Sequence, residues 1–125
     1  MTITEVSGKF NIPHDTLRYY ERIGLIPRVG RNKSGNRDYS EDDCRWVEFV
    51  KCMRGAGLTI EVLIEYVSLF QQGENTRDAR KELLIEQRRL LQERMNDMQK
   101  TLDRLDLKIS RYEQSVLEAE NELKR

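Results

Sequence analysis

From Thr76 to Arg125 the chain runs for fifty residues without a glycine or a proline. A segment of that length with no helix breaker predicts one continuous helix, and the spacing of its apolar residues predicts which face is covered. Leu84, Leu91, Met95, Met98, Leu102, Leu105, Ile109, Tyr112, Val116, Ala119 and Leu123 follow one another at intervals of 7, 4, 3, 4, 3, 4, 3, 4, 3 and 4 residues. That is a coiled-coil seam. At about 1.5 Å per residue such a helix is roughly 70 Å long, and nothing left in the chain covers its stripe. A fold-back into a helical hairpin would need a breaker between Thr76 and Arg125, and none is present. A second copy of the chain is therefore expected on the seam, making residues 76–125 a dimerisation helix and the protein a homodimer.

The first 73 residues carry a different pattern. Ile3, Val6 and Phe10 stand at helical spacing, with Thr2 as N-cap and Glu5 placed to complete a capping box. Asn11-Ile12-Pro13 interrupts this helix, and a second runs from about His14 to Ile23 and stops at Gly24. Two short helices across a tight turn form a helix-turn-helix, whose second helix lies in the major groove of DNA. Leu17, Tyr20 and Ile23 would be its buried stripe, leaving Thr16, Arg18, Tyr19 and Arg22 to face outward. Between Leu25 and Ser40, Pro27, Gly30, Asn32, Ser34, Gly35 and Asn36 forbid a helix. Extended arms at 26–29 and 37–39 are expected to pair as a hairpin whose tip carries Arg31, Lys33 and Arg37, a wing (about 26–40) suited to gripping phosphates. Ser40 then caps a helix with Glu41, Asp42 and Asp43 in its first turn, where negative charge complements the helix dipole. Its apolar side is Trp46, Val47, Phe49, Val50 and Met53, and it ends at Gly55-Ala56-Gly57. A fourth helix from Thr59 turns Ile60, Leu63, Ile64, Val67 and Phe70 inward and closes near Gln72-Gly73. The fold class is mainly α: a winged helix-turn-helix head with a helix pair (1–73), then a long coiled-coil helix.

The formal net charge is zero, which taken alone speaks against a polyanionic partner. The charges are segregated, however. Residues 1–37 hold seven Lys/Arg against three acids, a net of +4, and the remainder fifteen against nineteen, a net of −4. A basic head on an acidic tail suits double-stranded DNA as partner with a solvated interaction segment behind it. No signal-peptide pattern and no apolar run of membrane-spanning length is present, so a cytoplasmic protein without a membrane partner is expected. The one histidine, His14, lies in the turn of the helix-turn-helix, and there is neither a Gly-rich phosphate loop nor a set of paired metal ligands. Neither enzymatic activity nor a cofactor is expected.

The run TLRYYERIGLIPRVGRNKSGNRDY, Thr16 to Tyr39, resembles the signature of the MerR family of transcriptional regulators, in which T-L-R-Y-Y-E-x-x-G-L forms the recognition helix. The element order resembles that family along the whole chain. The resemblance implies an antiparallel coiled coil, a pseudo-palindromic operator in a promoter with a long spacer, and RNA polymerase as a partner there. Carried over by position, Thr16, Arg18, Tyr19 and Arg22 would contact DNA from the recognition helix, and Arg37 and Tyr39 from the wing. Arginine supplies bidentate and phosphate contacts, and tyrosine offers a hydroxyl to phosphate. Many members add a sensing domain or a cysteine-bearing metal loop. Here no Cys or His follows Cys52, so metal sensing in the manner of the mercury or copper members is expected to lack its ligands, and no drug-binding domain is expected after the coiled coil.

Cys52, in VKCMRGAGL, has a context similar to the thiol-dependent branch of the family that answers aldehydes and other electrophiles. Flanking Lys51 and Arg54 would favour the thiolate. The opposing reading is a small side chain packed in the core. Cys44 follows three acids, whose charge works against thiolate formation. Eight residues apart on one helix, the two sulfurs stand too far apart for an intramolecular disulfide. Two other readings stay open, a regulator controlled only by its own concentration and a coiled-coil scaffold.

Overall fold

Helix starts in this chain are written by side chains that cap orphan backbone N–H groups. The computed structural model describes residues 1–124, and Arg125, the last residue of the expected helix, lies outside the described residues. The chain order is α1 (Ile3–Phe10), α2 (His14–Arg22), α3 (Glu41–Gly55), α4 (Ile60–Gln71), a single 3₁₀ turn (Glu74–Thr76) and α5 (Arg77–Leu123). At α1 the Thr2 hydroxyl accepts from the Glu5 N–H at 3.1 Å while the Glu5 carboxylate accepts from the Thr2 N–H at 3.0 Å, which closes the expected capping box. The same device opens α3, with Ser40 and Asp43 in the two roles at 3.1 and 2.9 Å. Asp43 is thus more than a charge near the helix dipole. Thr59 caps α4 by accepting from the Val62 N–H at 3.2 Å. Each such cap contributes about 1 kcal/mol.

The chain divides into two units, Met1–Gln87 and Arg88–Arg125. In the first, Val6 of α1, Leu17 of α2, Val47 and Val50 of α3 and Leu63 of α4 are buried against one another. Full burial of each is worth roughly 1.5–3 kcal/mol. Leu25, Ile26 and Val29, from the segment after α2, join the same cluster. The sequence pattern placed Ile26–Val29 in a hairpin arm, and here the structure corrects it. Among the described residues there is no strand, only an isolated antiparallel bridge between Arg31 and Arg37. The pairing sits nearer the loop tip, with Asn32 N–H donating to Asn36 O and Asp38 N–H to Gly30 O, both at 2.8 Å. Burial of Ile26 and Val29 outweighs sheet pairing because the core is near and two hydrogen-bonded residue pairs make no stable sheet alone. Gly35, at φ +80°, allows the reversal, and the Asn32 side chain accepts from the N–H groups of Ser34 and Asn36.

Phe70 also departs from expectation. Instead of pointing into the core it is 44% exposed, set edge-on against Trp46 at 5.0 Å with the Arg80 guanidinium 5.3 Å from its ring. The head does not end with α4. Thr76 is buried and donates its hydroxyl to Leu69 O and Gly73 O, and Arg80 donates back to it at 3.2 Å. The first turns of α5 are thereby tied to α4, and the division between units falls inside α5.

Along α5, side-chain pairs four residues apart, including Arg89–Glu93 at 2.5 Å and Gln99–Asp103 at 2.9 Å, staple successive turns. Leu91 is half-buried; the other large apolar seam residues are exposed in the single chain, from 38% at Leu84 to 70% at Met98 among Leu84–Val116. Among the described residues no helix is long and apolar enough to cross a membrane.

Candidate nucleic-acid interface

Helix α2 begins after Pro13, which makes no side-chain cap but holds φ at −58°. Gly24, at φ +81°, stops it, with its N–H donating to Glu21 O and the Leu25 N–H to Tyr20 O. These two ends fix the rotation of the helix. Leu17 is wholly buried and Tyr20 and Ile23 pack against the core, so the opposite side must face solvent. On that side Arg18, Tyr19 and Arg22 are exposed and Thr16 is half-buried. The Arg22 guanidinium lies 5.5 Å from the Tyr19 ring centre. Arg18 pairs with Asp15 at 3.0 Å, but Asp15 is fully in solvent, so the pair is weak and exchangeable for a phosphate.

The wing is brought to this helix by one carboxylate. Glu21 accepts from Arg37 Nε at 2.6 Å through one oxygen and from the Val29 N–H at 3.2 Å through the other. Arg31 donates to Gly35 O at 2.9 Å, and Lys33 is exposed at the tip. Two clefts result. One, of about 270 Å³, is lined by Thr2, Ile3, Thr4, Arg18, Arg31, Asn32, Asn36 and Arg37. The other, of about 490 Å³, is lined by Arg18, Glu21, Arg22, Arg28 and Arg37. Arg18 and Arg37 belong to both, so the helix and wing arginines expected to meet DNA converge on one surface. Arg28 was not among the candidates named from the pattern. Its sole sequence signal was positive charge just after the recognition helix.

Tyr39 is a correction. Its side chain is 2% exposed, and its hydroxyl is buried without a hydrogen-bond partner. Burial pushes this phenol above its ordinary value. The ring belongs to the core, and a hydroxyl shut away from solvent does not reach a phosphate. Its backbone is equally engaged, the N–H donating to Met1 O at 2.8 Å.

The cysteines separate cleanly. Cys44 is buried, its sulfur 3.8 Å from that of Met1, and Cys52 is exposed. The reading of Cys52 as a packed core residue therefore fails. The cations beside it are otherwise occupied. Lys51 donates to the carbonyl of Phe10 and Arg54 to that of Leu58, so sequence adjacency does not place either charge on the thiol. Among the described residues no group of three or more His, Cys, Asp or Glu could hold a metal ion.

Comparison with known proteins identifies the architecture. A family profile described as MerR HTH family regulatory protein matches residues 1–69, and one described as MerR, DNA binding matches 44–107. The chain belongs to the MerR family of DNA-binding transcriptional regulators. Among similar MerR-type proteins, the HTH-type transcriptional regulator AdhR of Bacillus subtilis is 55% identical over 91 residues, which cover 73% of this chain and 65% of AdhR. The chain thus spans slightly under two thirds of that relative. A crystal structure of a MerR family transcriptional regulator from Listeria monocytogenes, 51% identical, superposes with a TM-score of 0.94 over 99% of this chain and 94% of that one. HiNmlR, described as a MerR family regulator lacking the sensor domain and bound to promoter DNA, is 26% identical with a TM-score of 0.82 and 90% coverage of both chains. The relatives are regulators, not enzymes.

Proposed function

We propose that this protein binds a pseudo-palindromic promoter operator as a homodimer and regulates transcription in the cytoplasm, with RNA polymerase as its partner at the promoter. The observation that carries this reading is the convergence of Arg18, Arg22, Arg28, Arg31 and Arg37 on adjoining clefts beside an exposed helix face. Thr16, Arg18, Tyr19 and Arg22 supply the groove contacts, and Arg31, Lys33 and Arg37 the phosphate contacts that set register. Arg28 joins them. The promoter-bound state of HiNmlR supports the same use of the shared fold. Residues 1–73 act as the DNA-binding domain and 76–125 as the dimerisation helix, because the seam from Leu84 to Val116, exposed except at half-buried Leu91, has no cover within the chain's pattern. Two heads related by a two-fold axis meet half-sites about one helical turn apart.

We further propose that Cys52 switches the regulator by reacting with an electrophile, which its exposure permits and the burial of Cys44 denies to the other thiol. Selecting duplexes from a random pool with full-length protein tests the first part, and transcription from the enriched operator with and without an aldehyde tests the second. Enrichment of a two-fold symmetric sequence is expected, with a transcriptional response to aldehyde that Cys52→Ser abolishes. Enrichment of no sequence overturns the operator reading, and an unchanged aldehyde response in folded Cys52→Ser protein overturns the switch.

A further inference from the structure

Between Thr16 and Arg37 the chain carries six basic residues and one acid, Glu21. A carboxylate on a surface that meets phosphates repels its ligand, so its presence there calls for a compensating role. Glu21 is 12% exposed and both of its oxygens are engaged. One holds Arg37, on the arm returning from the wing tip, and the other holds the N–H of Val29, at the root of the outgoing arm. Within the wing, the bonds join Gly30 to Asp38 and Asn32 to Asn36, so the arms are tied to each other there. Through Glu21 both arms are tied to the recognition helix.

We propose that Glu21 is a positioning residue for DNA discrimination, a two-oxygen clasp that locks the wing to the recognition helix so that their contacts engage as one rigid set. The inference rests on the operator-binding reading above and adds a residue that touches no DNA. Phosphate contacts from the wing help specify where the helix residues fall along the groove. A wing held in advance supplies that register without the ordering cost of fixing a loose loop on binding. The clasp engages Arg37 through Nε alone, so the terminal nitrogens of the guanidinium remain on a residue that lines both clefts. Glu21 therefore gives up general attraction for polyanions and gains selectivity among them.

The test separates these effects because they have opposite signs. Full-length wild type, Glu21→Gln and Glu21→Ala are titrated with a duplex enriched by the wild type from a random pool, and with a scrambled duplex of the same length. Glu21→Ala is expected to bind the enriched duplex about tenfold or more weaker, the scale of one lost specific contact, while binding the scrambled duplex as well as or better than wild type. Glu21→Gln keeps acceptor capacity without the charge and is expected to discriminate at an intermediate level. Tighter binding of both duplexes by one common factor in both variants would overturn the proposal, leaving Glu21 a counter-charge. Equal weakening on both duplexes would also overturn it, leaving Glu21 a support of the fold. Should Glu21→Ala fail to fold, Glu21→Gln decides alone: discrimination below that of wild type supports the clasp, and discrimination equal to wild type overturns it. Failure of wild type to enrich any duplex, seen before a variant is made, overturns the regulatory reading and this proposal with it.

Discussion

Replacing Leu102 and Ile109 by alanine is expected to dissociate the proposed dimer without unwinding the helix. In the single chain these side chains are 50% and 56% exposed. Fully burying a leucine or isoleucine is worth roughly 1.5–3 kcal/mol, so about half of that remains to be gained at each position when a partner covers the seam. Truncation to alanine forfeits most of it. A dimer carries both changes in both protomers, which brings the loss to about 3–6 kcal/mol, or roughly a 10²–10⁴-fold rise in dissociation constant. Alanine is the best helix former, so the helical circular dichroism of α5 should persist and the loss cannot be assigned to unwinding. Sedimentation equilibrium over a wide concentration range reads the change directly. Leu107→Ala provides the control, because Leu107 is 53% exposed but lies off the seam. A dimer that stays as tight as wild type with both seam residues truncated, or that Leu107→Ala weakens equally, would refute the assignment of the interface.

Arg18→Ala is expected to cost roughly 1–3 kcal/mol on the enriched duplex and to relax base preference, whereas Lys33→Ala lowers affinity for every duplex and flattens the salt dependence; fluorescence anisotropy at several salt concentrations distinguishes them. Cys44→Ser should lower the melting temperature by placing a second polar group in the core, at about 1–3 kcal/mol, while Cys52→Ser leaves it unchanged and removes the fast phase of thiol alkylation. Tyr39→Phe should leave DNA binding intact and hold or raise stability by about 1 kcal/mol, since it removes an unpartnered buried hydroxyl; weaker DNA binding by a stable Tyr39→Phe protein would show that the hydroxyl reaches the nucleic acid. The raised phenol of Tyr39 also sets a direction with pH. Its contribution to stability is complete below the ordinary value of 10.0 and is lost as the pH climbs through the higher folded-state value, so wild type should lose more stability than Tyr39→Phe in alkaline melts.

Where sequence and structure agree, the signals are short-range. Thr2 with Glu5, Ser40 before its acids and Thr59 before Ile60 sit within one turn of the groups they cap, and Gly24 stops α2 at the residue where its φ turns positive. Where they part, a distant partner intervened. Ile26 and Val29 have strand-like composition, yet the core of helices claimed them and moved the wing pairing toward its tip. Phe70 continues the inward spacing of α4 but meets Trp46 at the surface instead. Tyr39 fits a phosphate-gripping pattern, and only the surrounding core reveals that its hydroxyl is enclosed.

By itself the sequence determined the helix boundaries, the breaker-free α5 with its heptad stripe, the outward face of α2 and the basic head. Those properties depend on hydrogen bonds and side-chain neighbours three or four residues apart, which a linear pattern displays. The tertiary structure alone decided the contacts of long and ambivalent side chains. Glu21 binds Arg37 sixteen residues away, and Lys51 turns from the adjacent Cys52 to a carbonyl forty-one residues earlier. A flexible charged chain takes whichever partner folding brings within reach, and an amphipathic ring takes the core when its apolar area outweighs one hydroxyl.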